Sequence, residues 1–379
     1  MKSILICSFS NLSTDSRIIR YIGSVPSNYD IFVAGCGDKP SVIGGRFNYI
    51  DLHYKAKRKN KNIREFIEYN LSLKLKLYSA VRRINPDIVH CNDFETLLPS
   101  YMALSQRRSK IIYDTHELWT GRIGVNKSLF HKLINSLDAL LENLICRKLS
   151  HIITVSDSIS EYLASAYNIN KPAVIRNIPL TESDCSSCDS KVDEVFSKLT
   201  GKLLFVYIGP VSKERNIPLL IRTFRKANIN NAHLVLIGKN QLGESLIDDK
   251  ITFIDEVLEK DICCYLKRCD IGVHPLSTDS CLNHEFALPN KVFQYMQAGL
   301  ALFVFKNRET ENIINIYKNG FTADFANEKS ILESFKSISE SDVSSLKLNS
   351  LNSFRTYFGW ENEKIKYLSV LYSVDKHSF

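Results

Sequence analysis

Short apolar runs alternate along the chain with stretches whose apolar positions recur every three or four residues. Ile4–Cys7, Ile31–Ala34, Ile88–His90, Ile111–Tyr113 and Ile152–Val155 read as buried strands, and the periodic stretches between them as helices. Strand followed by helix, repeated, predicts a parallel sheet covered on both faces. Such sheets bind ligands beyond the carboxyl ends of their strands. After a polar segment, Thr181 to Lys202, the alternation restarts with Leu203–Ile208 and Gly209, His233–Gly238, Ile251–Val257 and Asp270–Leu276. Leu288-Pro289 then opens a helical spacing through Val292, Phe293, Met296 and Leu300. Pro289 is expected in the first turn and Gly299 at the stop.

The length of 379 residues agrees with two such domains of roughly 180 residues each. The polar segment places the boundary after Pro179. Apolar runs such as Ala298–Phe305 fall short of a membrane span. The opening residues, Met1 to Cys7, read as a first strand rather than a signal peptide, so a cytoplasmic location is expected. Among ten cysteines, Cys7, Cys36, Cys146 and Cys263 lie in apolar elements and are expected to be buried free thiols. The lone CxxC, Cys185–Cys188, sits in the polar segment and reads as loop.

The formal charge of +8 is modest, but its placement is uneven. Lys55, Lys57, Arg58, Lys59, Lys61 and Arg64 crowd together, with Lys74, Lys76, Arg82 and Arg83 on the helix that follows. The run is either a solvated face or a docking face for an anionic membrane surface or a pyrophosphate-linked acceptor. Nucleic acid is not expected, since no aromatic-interleaved motif accompanies it.

Several polar residues fall where strands end. Ser10, Asn11, Thr14, Asp15 and Arg17 follow the first strand, where small side chains and backbone N–H groups suit a phosphate. Asp15 serves equally as a helix cap. Neither a GxGxxG nor a Walker sequence is present. Asp93 ends one strand and His116 the next, followed by Glu117, which serves a ligand or caps a helix. In the second half, Lys213 and Arg215 follow Gly209, and Asn290 and Lys291 open a helix. Free N–H groups, the positive dipole end and a lysine together make an anion site. The alternative for Lys291 is an ordinary solvent-facing residue. No DxD and no His/Cys cluster with ligand spacing appears, so no metal or other cofactor is expected.

Asn283–Gly299, NHEFALPNKVFQYMQAG, resembles the ALPNK-(apolar)-F-E-Y-(apolar)-x-AG segment of the family-4 glycosyltransferases, retaining sugar transferases of the GT-B fold. The likeness recurs along nearly the whole chain. Asp15-Ser-Arg17 resembles the D-x-R after strand one, Pro86–Asp93 the PDI(V/I)H-x-x-D strand, and Tyr113–Trp119 the YD-x-HE-L-W segment. Leu149–Ser156 and Val174–Pro179 resemble the words that close the first domain. Phe358-Gly-Trp360-Glu361 resembles the closing F-x-WE helix.

The resemblance implies an α/β GT-B fold, two Rossmann-like domains facing each other across a cleft. An acceptor domain would cover 1–179 with the closing helix 358–379 crossing back to it, and a donor domain 180–357. It implies transfer from a UDP- or GDP-sugar to a glycan or lipid-linked glycan, as in bacterial surface polysaccharide synthesis, without a metal and at the inner membrane face. His116 and Asp93 would act at the transferred sugar. Arg215, Lys213, Lys291, Asn290 and Gly209 would hold the diphosphate, and Val257 the base. Asn283, Glu285 and Gln294 occupy the region of the family's two acidic residues. Two departures stand out: Asn216 replaces a customary Gly, and Gln294 replaces the Glu that binds ribose hydroxyls. Gln294 leaves open an inactive GT-B-like subunit that stabilises a partner transferase. A sugar-nucleotide epimerase shares the fold, but its clustered acids are not found.

Overall fold

In the computed structural model the first apolar run extends to β1 (Lys2–Asn11), whose residues Ile4 to Cys7 are fully buried. The structure describes residues 1–40, 46–52, 63–104, 110–121, 129–180, 190–243, 248–278 and 281–376. Lys55 to Lys61 of the basic run and the Cys185–Cys188 pair lie outside them. The chain divides into two units, Met1–Asn177 with Glu363–Phe379, and Ile178–Asn362.

The first unit carries β1, β2 (Tyr29–Cys36), β3 (Asn48–Asp51), β4 (Ile88–Asn92), β5 (Ile111–Thr115), β6 (His151–Thr154) and β7 (Ala173–Val174). Their order is β3-β2-β1-β4-β5-β6-β7, and every pair is parallel. The order turns back between β1 and β4, where Cys7 is in register with Cys91 and Cys91 with Tyr113. Chains leaving adjacent strands in opposite directions open a crevice there, the usual ligand position in such sheets.

The second unit repeats the design with β8 (Leu203–Ile208), β9 (Ala232–Ile237), β10 (Ile251–Ile254), β11 (Ile271–His274), β12 (Ala301–Phe305) and β13 (Gly320–Ala323). The order is β10-β9-β8-β11-β12-β13, again parallel, with the turn-back at β8 and β11. Along β8, Phe205 and Tyr207 join one apolar core while Leu204, Val206 and Ile208 join the other. Burial on both faces is why these strands read as unbroken apolar runs rather than alternating ones. The two units together form the two-domain GT-B fold expected from the sequence.

Cys7, Cys36, Cys146 and Cys263 are buried free thiols. Pro289 (φ −68°, ψ 142°) is the cap residue before the helix Asn290–Gln297, one place earlier than the first turn expected for it. Its missing N–H costs nothing in either place. Gly299 ends that stretch at φ +75°. Asn216 sits at φ 59°, ψ 22°, so the customary Gly position is left-handed and Asn satisfies it. Among the described residues no helix is long and apolar enough to cross a membrane.

Candidate functional site

The polar centre of the first unit is built at its turn-back point, on β4 and β5. Asp114, in β5 and fully buried, accepts from Arg17 Nε at 3.0 Å, Arg17 Nη2 at 2.9 Å and the Tyr21 hydroxyl at 2.7 Å. His116 Nε2 and His90 Nε2 lie 3.5 and 3.7 Å from the same carboxylate. Arg17 Nη1 donates to the Ile175 carbonyl at 2.9 Å. Burial opposes ionisation of Asp114, but Arg17 and His116 overcome it and hold the carboxyl well below its usual range.

His116 is carried out of this centre. Its backbone N–H donates to Asp93 Oδ1 at 3.2 Å, its Nδ1 lies 3.6 Å from Asp93 Oδ2, and its Nε2 is 3.0 Å from Asn92 Oδ1. Asp93 adopts φ 62°, a left-handed corner that Asp tolerates, and its N–H donates to the Asp114 carbonyl of β5 at 2.8 Å. Both side chains stay partly accessible, His116 at 21% and Asp93 at 29%. Burial lowers the His116 pKa, but the carboxylates of Asp93 and Asp114 outweigh it and raise it. The result is a partly accessible imidazole, its protonated form favoured by its neighbours, fixed from several sides.

The strand-one residues behave differently. Ser10 Oγ donates to Asp15 Oδ2 at 2.6 Å, Asn11 Oδ1 accepts from Ser13, and Asp15 caps the helix Ser16–Ser24 through the Ile18 N–H. These side chains bond within their own loop, while Thr14 is exposed. Arg17, expected among the loop's ligand contacts, is 1% exposed, and its guanidinium is engaged by Asp114 and Ile175. Its place is structural. Glu117 is half-buried two residues before the short turn Trp119–Gly121.

In the second unit, β8 ends at Ile208 and the chain turns at Gly209, φ +122°. A Cβ there would stand 2.5 Å from Lys291 Nζ, so the missing side chain is what admits the lysine. Lys291 Nζ also lies 5.3 Å from the centre of the Tyr207 ring. Burial, helped by the nearby charge of Arg215, lowers the Lys291 pKa to about 8. His274, at the end of β11, is 2% exposed and held neutral by burial and by the cations Lys291 and Arg215. Among the described residues no carboxylate bridges to Lys291 or Arg215. Asn290 Oδ1 and His274 Nδ1 are buried with no hydrogen-bond partner.

The structure thus brings Lys291 against Gly209 and within electrostatic reach of Arg215, and adds His274 and Tyr207, which sequence reasoning missed; Asn290 precedes Lys291 at the helix start. The other candidates surround it less directly. Lys213 is exposed, and Val257 is half-buried against the core beyond β10. Asn283 (9% exposed) and exposed Glu285 lie on the short helix Leu282–Phe286, and Gln294 is half-buried in the second turn of Asn290–Gln297. His284 of that short helix lies with Nδ1 2.9 Å from the Ser277 carbonyl. In the first unit, Asp114 and Asn92 were the omissions. Both stood inside quoted strand words, and an acid in a buried strand was the available signal.

Residues 28–178 match the model of Glycosyltransferase Family 4, and residues 190–354 that of Glycosyl transferases group 1. Among solved structures, the chain is similar to a sucrose-phosphate synthase from Thermosynechococcus elongatus, with a TM-score of 0.79, 11% identity and both chains covered in full. It is also similar to Anabaena HepE in complex with UDP-glucose (TM-score 0.70, 12% identity, 98% of this chain and 100% of that one). A glycosyltransferase from Rickettsia africae gives a TM-score of 0.68 at 14% identity over 100% and 99% of the two chains. No curated protein matches the sequence.

Proposed function

Because the chain belongs to the family-4-like glycosyltransferases of the GT-B fold, we propose that it moves a sugar, with retention of configuration and without a metal ion, from a UDP- or GDP-sugar to a glycan or lipid-linked glycan of a surface polysaccharide. The observation that carries this reading is Lys291, its ammonium beneath Gly209 and within electrostatic reach of Arg215, with no carboxylate partner among the described residues. A half-buried cation with no carboxylate beside it leaves a charge that an anion can answer. A nucleoside diphosphate supplies that anion and is also the leaving group whose charge must be held in the transition state. Arg suits the task because its planar fork bridges two phosphate oxygens.

In the transfer, the bond from the anomeric carbon to the diphosphate oxygen breaks and the diphosphate keeps the electron pair. A bond to the acceptor oxygen forms, and the acceptor hydroxyl passes its proton to the departing diphosphate oxygen. Lys291 and Arg215 stabilise the departing diphosphate. His116, oriented by Asp93 through its backbone N–H and by Asn92 through Nε2, offers Nδ1 to a hydroxyl of the sugar. UDP is the first nucleotide to test, since Anabaena HepE is seen with UDP-glucose.

Calorimetry with UDP, GDP, ADP and CDP, each with EDTA or Mg²⁺, tests the reading. One nucleotide should bind equally in both conditions and lose affinity in Arg215→Ala. Anomeric NMR of the product checks retention. If none of the four binds, the transferase reading fails and the inactive partner subunit, which Gln294 first suggested, takes its place.

A further inference from the structure

His274 is the last residue of β11, at the point where the second sheet turns back. The Tyr295 hydroxyl fixes that point. It accepts from the Ile208 N–H of β8 at 3.2 Å and donates to the Val273 carbonyl at 3.0 Å. The His274 imidazole is 2% exposed. It stacks on the Tyr207 ring with 6.5 Å between centres and meets Phe305 edge-on at 5.5 Å. Lys291 Nζ lies 5.3 Å from the centre of the same Tyr207 ring. A leucine or phenylalanine would suit such packing equally well and would bury no polar edge. His274 does bury one, since its Nδ1 is enclosed without a hydrogen-bond partner.

The charges that act on this imidazole are of one sign. Lys291 stands on the helix Asn290–Gln297, Arg215 in the turn before the helix Ile217–Ala227, and His284 on the short helix Leu282–Phe286. Burial lowers the His284 pKa, but Cys281 and the Ser277 carbonyl outweigh it and raise it. Burial pushes up the phenols of Tyr207, to about 12, and of Tyr295, so neither supplies an anion. Among the described residues no carboxylate acts on His274. Burial first, and the cations after it, hold the imidazole well below the usual histidine range. In the free chain it is a neutral group with an unsatisfied nitrogen. An anion at Lys291 and Arg215 reverses the field, and added negative charge raises the proton affinity of a nearby buried imidazole.

We propose that His274 is a further residue of the diphosphate site, taking a proton from solvent as the nucleotide sugar binds and adding its charge to those of Lys291 and Arg215. The inference rests on the donor reading given above. His274 thereby acts as a positioning residue, through the field it shares with the two cations. The bound state holds one proton more than the free state, so linkage makes donor affinity rise as pH falls toward 6. Lys291, which titrates at about 8, already holds its proton in that window, and the two groups are separable by pH.

Calorimetry of the whole chain at pH 6.5, in buffers of different ionisation enthalpy, tests it. The probe is the glucose ester of whichever nucleoside diphosphate binds: UDP-, GDP-, ADP- or CDP-glucose. An esterified diphosphate exchanges no proton near neutrality. The parent chain should take up roughly half a proton or more per ligand, and His274→Gln close to none. The variant should also bind about three- to tenfold more weakly at pH 6.5, with the difference shrinking by pH 8. A histidine that only packs would change affinity alike at both pH values and leave the proton count unmoved. His274→Phe, which keeps the ring contacts, replaces the glutamine variant if that one loses its circular dichroism. No uptake by the parent chain overturns the inference. Uptake that the variant retains assigns the proton to another group, such as His116 or His284, and also overturns it. If none of the four diphosphates binds, the donor reading fails and this inference falls with it, whereas binding without uptake leaves that reading standing.

Discussion

The polar centres of the two units sit at equivalent turn-back points, yet they are opposite in electrostatic design. In the first, the buried Arg17 guanidinium has its carboxylate: Asp114 takes two of its N–H groups, the Tyr21 hydroxyl and the attention of two histidines. In the second, the half-buried Lys291 has another cation, Arg215, within electrostatic reach and no carboxylate among the described residues. A compensated centre holds a fold and orients what it displays, here His116. An uncompensated one stores a cost that a ligand relieves, which is the mark of a binding site.

Removing the compensation should have the largest effect. Asp114→Ala leaves Arg17 buried and unpaired, and should cost about 3–5 kcal/mol of stability, seen as a lower denaturant midpoint. Lys291→Met should do the reverse. Denaturant stability stays level or rises, while affinity for the diphosphate, followed by calorimetry, falls by about 2 kcal/mol or more. If Lys291→Met destabilises as Asp114→Ala does, the two centres are alike and the comparison fails. Gly209→Ala puts a methyl into the Lys291 ammonium at a left-handed φ, and should weaken nucleotide binding by about tenfold.

The pH dependence sharpens the contrast, because the two shifts have opposite linkage. Lys291 titrates at about 8 in the folded chain, below an ordinary lysine. The unfolded chain therefore holds more protons above pH 8, and this group makes stability rise with pH from there to the ordinary lysine value. Diphosphate affinity should fall over the same window as the ammonium is lost. The His116 pKa is raised. Its stabilisation is complete below the ordinary histidine value and disappears as pH rises through the raised one. Denaturant titrations of Lys291→Met and His116→Gln against the parent chain should lose these two slopes separately. The smallest effect is expected from Gln294→Glu, which restores the family's acid in a half-buried position. A few-fold tighter nucleotide binding supports the ribose contact, and no change removes Gln294 from the site.

The sequence was legible where local rules suffice. Unbroken apolar runs announced strands buried on both faces, Gly299 and Asn216 marked backbone turns that only tolerant residues make, and the ALPNK word placed Lys291 at a helix start. It was less legible where one residue type serves two ends. Arg17 looked like a ligand contact because it follows a polar loop. The helix Ser16–Ser24 instead turns it inward, onto an acid ninety-seven positions away. His274 and Tyr207 were read only as strand residues, since nothing local says that a lysine from a later helix will arrive beside them. The stripe Leu133, Leu137, Leu140 and Leu144 of the helix Leu129–Cys146 has the spacing of a core face, and only exposure shows that nothing within the described residues covers it.

The sequence by itself therefore determined the family, the doubled strand–helix alternation and the residue types available at each strand end, because those depend on neighbours along the chain. The tertiary structure decided which charges are answered and which are not. Burial and pairing are set by segments far apart in sequence, and the same Arg or Lys becomes a structural tie or a ligand's partner according to whether the fold delivers a carboxylate to it.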